Sequence, residues 1–266
     1  MITKSRRTLA RGRAWLPLSG LAVLVLAWSL AIRFGGSTLL PGPWAVARAL
    51  VELARSGFLV KHVVASLFRV TWGYLGAVAI GIPLGIFLGW WRRGEMAIAP
   101  LIEILRPISP LAWIPIAILW FGVGDLSAIF IIFLASLLPL TLTAMNAVGT
   151  VTSVHWNAGR NFGLSASELA RKVLAPAILP QLIVGLRLTL GIAWLVVVAA
   201  EMIAVNSGLG FLIIDARNAG NRYDLVVAGM VLIGVIGLGL DLAMRRLERL
   251  PAASWGYQTP VEAEAA

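Results

Sequence analysis

Side chains able to carry acid–base or covalent chemistry are sparse in this 266-residue sequence, and they do not converge. His62 and His155 stand far apart, and neither falls in a metal-ligand spacing or beside a nucleophile; a solvated or interfacial position suits each. The absence of cysteine removes disulfides, thiolate nucleophiles and cysteine-ligated clusters. No glycine-rich loop ends in lysine followed by serine or threonine, so the chain has no phosphate cradle and is not expected to hydrolyse ATP. What remains are polar residues set in or beside apolar runs: Glu103, Arg106, Ser109, Thr189, Glu201, Asn206 and Ser207. In such surroundings polar groups pair with one another or line a polar route. Glu103 and Arg106, three residues apart, share a helix face, where mutual pairing, snorkelling to an interface and lining a route are all compatible. Asn206-Ser207-Gly208-Leu209-Gly210 marks either a re-entrant break or a loop around a packed helix end.

The elements that must position these residues are membrane helices. The sequence is 59% hydrophobic and only 13% charged, with a mean hydropathy of +0.90, which excludes an ordinary water-soluble domain. We expect an all-α polytopic fold with six spans, at 16–32, 67–90, 98–121, 126–147, 182–203 and 225–244. The basic start MITKSRRTLARGRAW precedes an apolar run without a small-residue cleavage site, so that run reads as a retained first span. This divides the chain into a tail over 1–15, a transmembrane region over 16–247 and a second tail over 248–266. The segment 33–66 contains an amphipathic stretch after Pro41-Gly42-Pro43 that suits a surface-lying helix.

Glycines at 73, 76, 81, 85 and 89 permit close helix approach in the second span, with Gly81 and Gly85 at small-xxx-small spacing. Pro107, Pro110 and Pro115 work against a straight, uninterrupted third span. The formal charge of +10 could suggest a nucleic-acid partner, but the basic residues cluster beside hydrophobic segments. Thirteen fall in the segments assigned inside and seven in those assigned outside, which places both termini in the cytoplasm. Trp90 and Trp91 beside Arg92 and Arg93 suit an interface anchor.

Residues 148–181 are too long for a minimal turn. Asn157 and Ser165 are helix-start types, Gly159 and Gly163 allow a turn or close contact, and Pro176 and Pro180 limit a continuous helix. Ser167, Glu168, Arg171 and Lys172 supply a polar face, and a short helix-loop-helix results.

At this point the pattern resembles the inner-membrane permease subunit of ATP-binding-cassette importers, within the nitrate, sulfonate and taurine group. Asn157-Ala158-Gly159 matches the first triplet of that family's cytoplasmic signature, with Asn157 in place of its glutamate; Gly163 matches its marked glycine, Val173 its hydrophobic position, and Ala175-Pro176 its ending in part. LRPISPLAWIPIAILWFGVGD, LPQLIVGLRLTLGIAWLVVVAAEMI and NSGLGFLI also resemble the group in order and separation, over about residues 35–247. The resemblance implies a cytoplasmic coupling helix seated in an ATPase subunit, with Asn157, Ala158, Gly159, Gly163, Ser165, Ser167, Glu168 and Pro176 in the coupling region. It implies a bacterial inner-membrane location, a second permease chain (a homodimer, with a heterodimer as the alternative), two ATPase subunits that bind the ATP and Mg, an extracytoplasmic solute-binding protein, and no nucleic acid or cofactor on this chain. Its substrate would be a small oxyanion such as a sulfonate, taurine or nitrate, attracted by Arg106, while Glu201 better suits pairing with a base or supporting a gate. Asp215, Arg217, Arg222 and Asp224 are compatible with facing the binding protein or with a solvated loop. A secondary transporter driven by an ion gradient and a polytopic membrane enzyme are the competing classes; the first lacks a clear inverted repeat here, and the second a convergent site.

Overall fold

The computed structural model describes residues 15–35 and 40–248, and all regular structure among them is helical. Helix α1 is Trp15–Gly35, α2 Pro43–Arg55, α3 Phe58–Trp90 and α4 Arg92–Leu105; a 3-10 turn at Pro110–Trp113 leads into α5, Ile114–Phe121. Then follow α6 Asp125–Gly149, α7 Ser153–Asn161, α8 Ala166–Ala204, α9 Leu209–Asn218 and α10 Tyr223–Glu248. The expected tails 1–15 and 248–266 lie outside the described residues, apart from Trp15 and Glu248.

Among the described residues, α3, α6, α8 and α10 are long and apolar enough to cross a membrane, and a fifth crossing is counted if α4 and Pro110–Phe121 form one broken span. The expectation of six spans is met in part, by these four or five helices. The run 16–32 lies in α1, whose apolar part Ser19–Phe34 is shorter than the four long helices. The run 98–121 is two helices bent by 84°. Pro107 and Pro110 both lack an amide donor, and before Pro110 the chain leaves helical geometry at Ser109, ψ 130, while Arg106 before Pro107 stays helical. Ser109 restarts the chain by accepting a hydrogen bond from the Leu111 amide at 3.3 Å. The remaining four expected spans fall inside α3, α6, α8 and α10.

Chain contacts divide the described residues into two compact units: those up to Val60 with Leu212–Val231, and Lys61–Phe211 with the chain from Leu232 onward. In the smaller unit α2 opens with Pro43 in its first turn, where a missing amide costs nothing, and buries Val46, Ala49 and Leu53. Arg222 holds Asp224 at 2.9 Å and Glu52 at 2.8 Å in the same unit.

The larger unit is organised by the line Gly73, Ala77, Gly81, Gly85 and Gly89 on α3, which faces α6 at intervals of four residues. A Cβ at Gly73 would lie 2.8 Å from the Ile129 carbonyl and from Ile132, and one at Gly89 equally close to the Met145 carbonyl and Val148. At Gly85 it would collide with the Thr141 carbonyl. Backbone therefore meets backbone, the arrangement by which small residues bring membrane helices together. Gly76 lies off this line, with Phe133 at an ordinary 3.4 Å. On the other side of α6, α8 closes the core: Ala200, Ala204 and Val205 pack with Ile114, Ala117, Ala128 and Ile131. A second cluster joins Ala147, Val148, Leu174 and Ile178.

Helix α8 runs through Pro176 and Pro180, contrary to the expectation that they limit it. Before Pro176 the chain makes a π turn at Ala170–Leu174, closed by the Ala175 amide on the Ala170 carbonyl, and the wider turn relieves the clash of the Pro176 ring with the turn before it; at Pro180, four residues on, the carbonyl that loses a donor is that of Pro176. Along α8, Arg187 holds Asp241 at 2.6 Å and Glu248 at 3.0 Å, and the Trp194 indole donates to the Ile233 carbonyl at 3.0 Å. Gly85→Leu is expected to destabilise the detergent-purified protein by about 1–3 kcal/mol through overpacking. Gly76→Ala should stay within roughly 0.5 kcal/mol of wild type. Thermal melts followed by size-exclusion chromatography separate the two.

Candidate functional site

Helix α3 carries His62, Ser66 and Arg69 at spacings of four and three, hence on one face, and all three are buried. Arg69 is 1% exposed and Glu201, near the end of α8, is wholly enclosed. The guanidinium donates through Nη1 to Glu201 Oε1 at 2.6 Å and to the Ser207 carbonyl at 2.7 Å. Its Nη2 donates to Ser207 Oγ at 2.5 Å. Asp125, the first residue of α6, receives Nε at 2.8 Å and Nη2 at 2.7 Å. Glu201 Oε2 accepts from Ser66 Oγ at 2.9 Å and from the Gly210 amide at 3.0 Å.

This cluster also caps a helix. The opening amides of α9 have no intrahelical partner and must find acceptors elsewhere. The Gly208 amide donates to His62 Nδ1 at 3.0 Å and the Leu209 amide to Ser66 Oγ at 2.9 Å, with Glu201 taking the third. The chain reaches these acceptors by folding back over Glu201 after Val205. Gly208 has φ +107, and a Cβ there would strike the Glu201 carboxylate; one at Gly210 would strike the Val198 carbonyl. The glycines of NSGLG are thus required by strain and by space.

Arg69 was counted from sequence among the outer basic residues, and its central position was missed; the available signal was its helical spacing from His62 and Ser66 inside an apolar run. His62 is buried rather than solvated or interfacial, whereas His155 is exposed and hydrogen-bonds Thr152 at 2.7 Å. Of the seven polar residues singled out from sequence, Glu201 and Ser207 meet in the cluster. Asn206 is exposed at the break, and Thr189 is buried along α8. Glu103, Arg106 and Ser109 sit exposed at the bend between α4 and α5, and Glu103 and Arg106 form no salt bridge with each other.

At its N-terminal end α8 forms a hairpin with α7. Asn157 lies inside α7 rather than starting it, with Ala158 beside it, both exposed. The hairpin turns at Gly163, φ +73, where the Gly163 amide bonds the Arg160 carbonyl at 2.9 Å and the Leu164 amide that of Gly159 at 3.1 Å. This is a Schellman closure, which favours glycine. Gly163 has open space around it, so it provides the turn, while the close contact belongs to Gly159 against Leu169 and Val173. Ser165 then starts α8 with a reciprocal capping box to Glu168. In this polar segment, outside the apolar stretch of α8, the hydrogen bond from Lys172 at 2.9 Å and those from Ser165 hold the Glu168 carboxyl down at about 2. Ser167 and Pro176 are exposed, and so are Val154 (71%) and Phe162 (85%), two apolar side chains on an otherwise polar hairpin.

A multi-pass helical bundle interrupted by a polar, firmly closed hairpin has the construction of a membrane transport subunit. Residues 81–251 match the family of binding-protein-dependent transport system inner membrane components. The chain belongs to this family, as an ATP-binding-cassette transporter permease subunit of the nitrate/sulfonate/taurine group. It is 40% identical over 233 residues to an ABC transporter permease protein of Methanocaldococcus jannaschii, covering 85% of this chain and 87% of the relative. It is 36% identical over 243 residues to the taurine transport system permease protein TauC of Escherichia coli, covering 88% and 87% respectively. A chain of the inward-facing MetNI methionine ABC transporter superposes with a TM-score of 0.59 at 21% identity, covering 72% of this chain and 97% of that one, which shows a shared fold. Among the described residues no group of His, Cys, Asp and Glu is arranged to hold a metal.

Glu201→Ala removes the enclosed acceptor shared by Arg69, Ser66 and the Gly210 amide and is expected to cost about 3–5 kcal/mol. Asp125→Ala, removing an exposed partner, should cost about 0–1 kcal/mol. Thermal denaturation of the two purified variants checks this ordering, and equal losses would contradict it.

Proposed function

We propose that this permease forms, with a second copy of itself, the translocation path of an importer for a small oxyanion such as a sulfonate, taurine or nitrate. The substrate class is supported by the relatives, which are named for taurine, aliphatic sulfonates, nitrate and bicarbonate. An extracytoplasmic binding protein delivers the substrate, and two ATPase subunits, holding ATP and Mg, drive access from one side to the other.

The observation that carries the coupling assignment is the exposure of Phe162 and Val154 on the capped hairpin. Apolar side chains on a polar, locally rigid element suit insertion into a partner's groove. Asn157, Ala158, Gly159, Gly163, Ser165, Ser167, Glu168 and Pro176 shape or flank that element: Gly159 and Gly163 by backbone geometry, Ser165 and Glu168 by the cap, the others from its surface and the following turn. Glu103, Arg106, Ser109, Thr189, Glu201, Asn206 and Ser207 are the candidates for the path or its gates. Arg106, exposed at the bend, draws anions, while Glu201 acts through Arg69 to support a gate. Counting α1 and the broken pair as crossings gives six spans with both termini in the cytoplasm, in line with the excess of basic residues on that side.

Purification from gently solubilised membranes tests the reading directly. A separate ATPase should co-purify, and its activity should rise with a loaded binding protein; repeated purification without one, alongside ATP-independent uptake, would favour an ion-gradient carrier. Phe162→Asp should leave insertion intact and reduce ATPase recovery by about tenfold, a loss of roughly 1.4 kcal/mol. Cysteines placed singly at residues 93 and 220, in a chain that has none of its own, should label from opposite membrane faces.

A further inference from the structure

The Arg69 guanidinium is served by two carboxylates of unequal standing. Glu201 is fully enclosed and held by three donors, Arg69, Ser66 and the Gly210 amide. Asp125 has a side chain 57% exposed and covers only the outer edge of the guanidinium, through Nε and Nη2. Glu201 alone balances the arginine charge, so Asp125 brings surplus negative charge to the cluster. An exposed carboxylate in a membrane bundle faces water or a polar partner, since lipid would not tolerate it. The covered edge of Arg69 is therefore one side-chain rotation from that polar space.

The Nε–Nη2 edge offers two parallel donors, the geometry that takes an oxyanion side-on. Ser207 Oγ, 2.5 Å from Nη2, adds a hydroxyl, and the first turn of α6 adds a dipole favouring negative charge.

We propose that this edge is an oxyanion subsite for which Asp125 is an exchangeable internal occupant. A sulfonate, nitrate or carboxylate group takes the place of the Asp125 carboxylate on Nε and Nη2, and Asp125 releases the visitor by reclaiming the edge. The exchange swaps one anion for another, so the buried guanidinium never loses a partner and no helix has to leave the packed core. A carrier must let go of what it binds, and a tethered competitor does so without a second cation. The identity of the natural visitor rests on the proposed oxyanion substrate; the existence of the subsite does not.

The test uses the purified permease–ATPase complex in detergent at fixed ionic strength, with chloride replaced stepwise by nitrate or ethanesulfonate. Asp125→Ala should be stabilised against heat by both oxyanions beyond the effect of chloride. Its half-saturation concentration should be at least about tenfold lower than that of wild type, because the competitor is gone. Adding Arg69→Lys, which removes the paired edge, should abolish the effect; should that double variant not assemble, Asp125→Ala with Ser207→Ala should raise the half-saturation concentration again. An Asp125→Ala complex that responds to oxyanions no more than to chloride, or no more than wild type does, overturns the subsite. Oxyanion uptake by wild-type proteoliposomes is measured alongside. Uptake without oxyanion stabilisation of Asp125→Ala overturns the subsite and leaves the importer reading standing. Stabilisation without uptake supports the subsite and overturns the oxyanion substrate.

Discussion

A guanidinium enclosed in a helical bundle must have its charge balanced and its five N–H donors met, by protein groups or, at an open edge, by water. Arg69 meets this demand with five contacts: two to Asp125, one to Glu201, and one each to the carbonyl and hydroxyl of Ser207. Those partners come from the start of α6, the end of α8 and the chain before α9, so one side chain of α3 ties three other elements together. The NSGLG break follows from the same demand. Its backbone must fold over Glu201 closely enough to share Glu201, Ser66 and His62 as caps, and only glycine at 208 and 210 leaves room.

Around this knot the packing is as close as backbones allow. The small-residue line on α3 brings it against α6, and α8 seals the opposite side of α6 with alanines and valines. In a membrane, where lipid is as apolar as leucine, such contact depends on shape and on dispersion attraction more than on leaving water. A core of this kind moves by discrete rearrangement of its elements rather than by gradual deformation.

Helix α8 spans the distance between the polar hairpin and the arginine cluster. Its first turn carries the capped hairpin, and Glu201 sits near its last turn, some 33 residues on, or roughly 50 Å at 1.5 Å per residue. One helix, widened by the π turn at Ala170–Leu174, therefore runs from the end of the hairpin to the arginine cluster. A physically continuous element between hairpin and cluster is what coupling of the two would require.

Features that depend on near neighbours were legible in the sequence. The glycines four apart announced close helix packing, Pro107 and Pro110 announced the break in the third apolar run, and Gly163 with Ser165 announced a turn followed by a helix start. Each rests on residues within a turn or two of one another, where backbone sterics and local hydrogen bonds decide the outcome. The continuation of α8 through Pro176 was not legible, because it depends on a π turn at Ala170–Leu174 that widens the turn the prolyl ring meets. Nor was the role of Arg69, whose partners Asp125 and Glu201 lie 56 and 132 residues away. Composition and periodicity alone determined that this chain is an all-helical membrane protein with a polar hairpin. Only the tertiary structure decided which charges are enclosed together, because burying an arginine becomes possible only when distant carboxylates are brought within hydrogen-bonding reach.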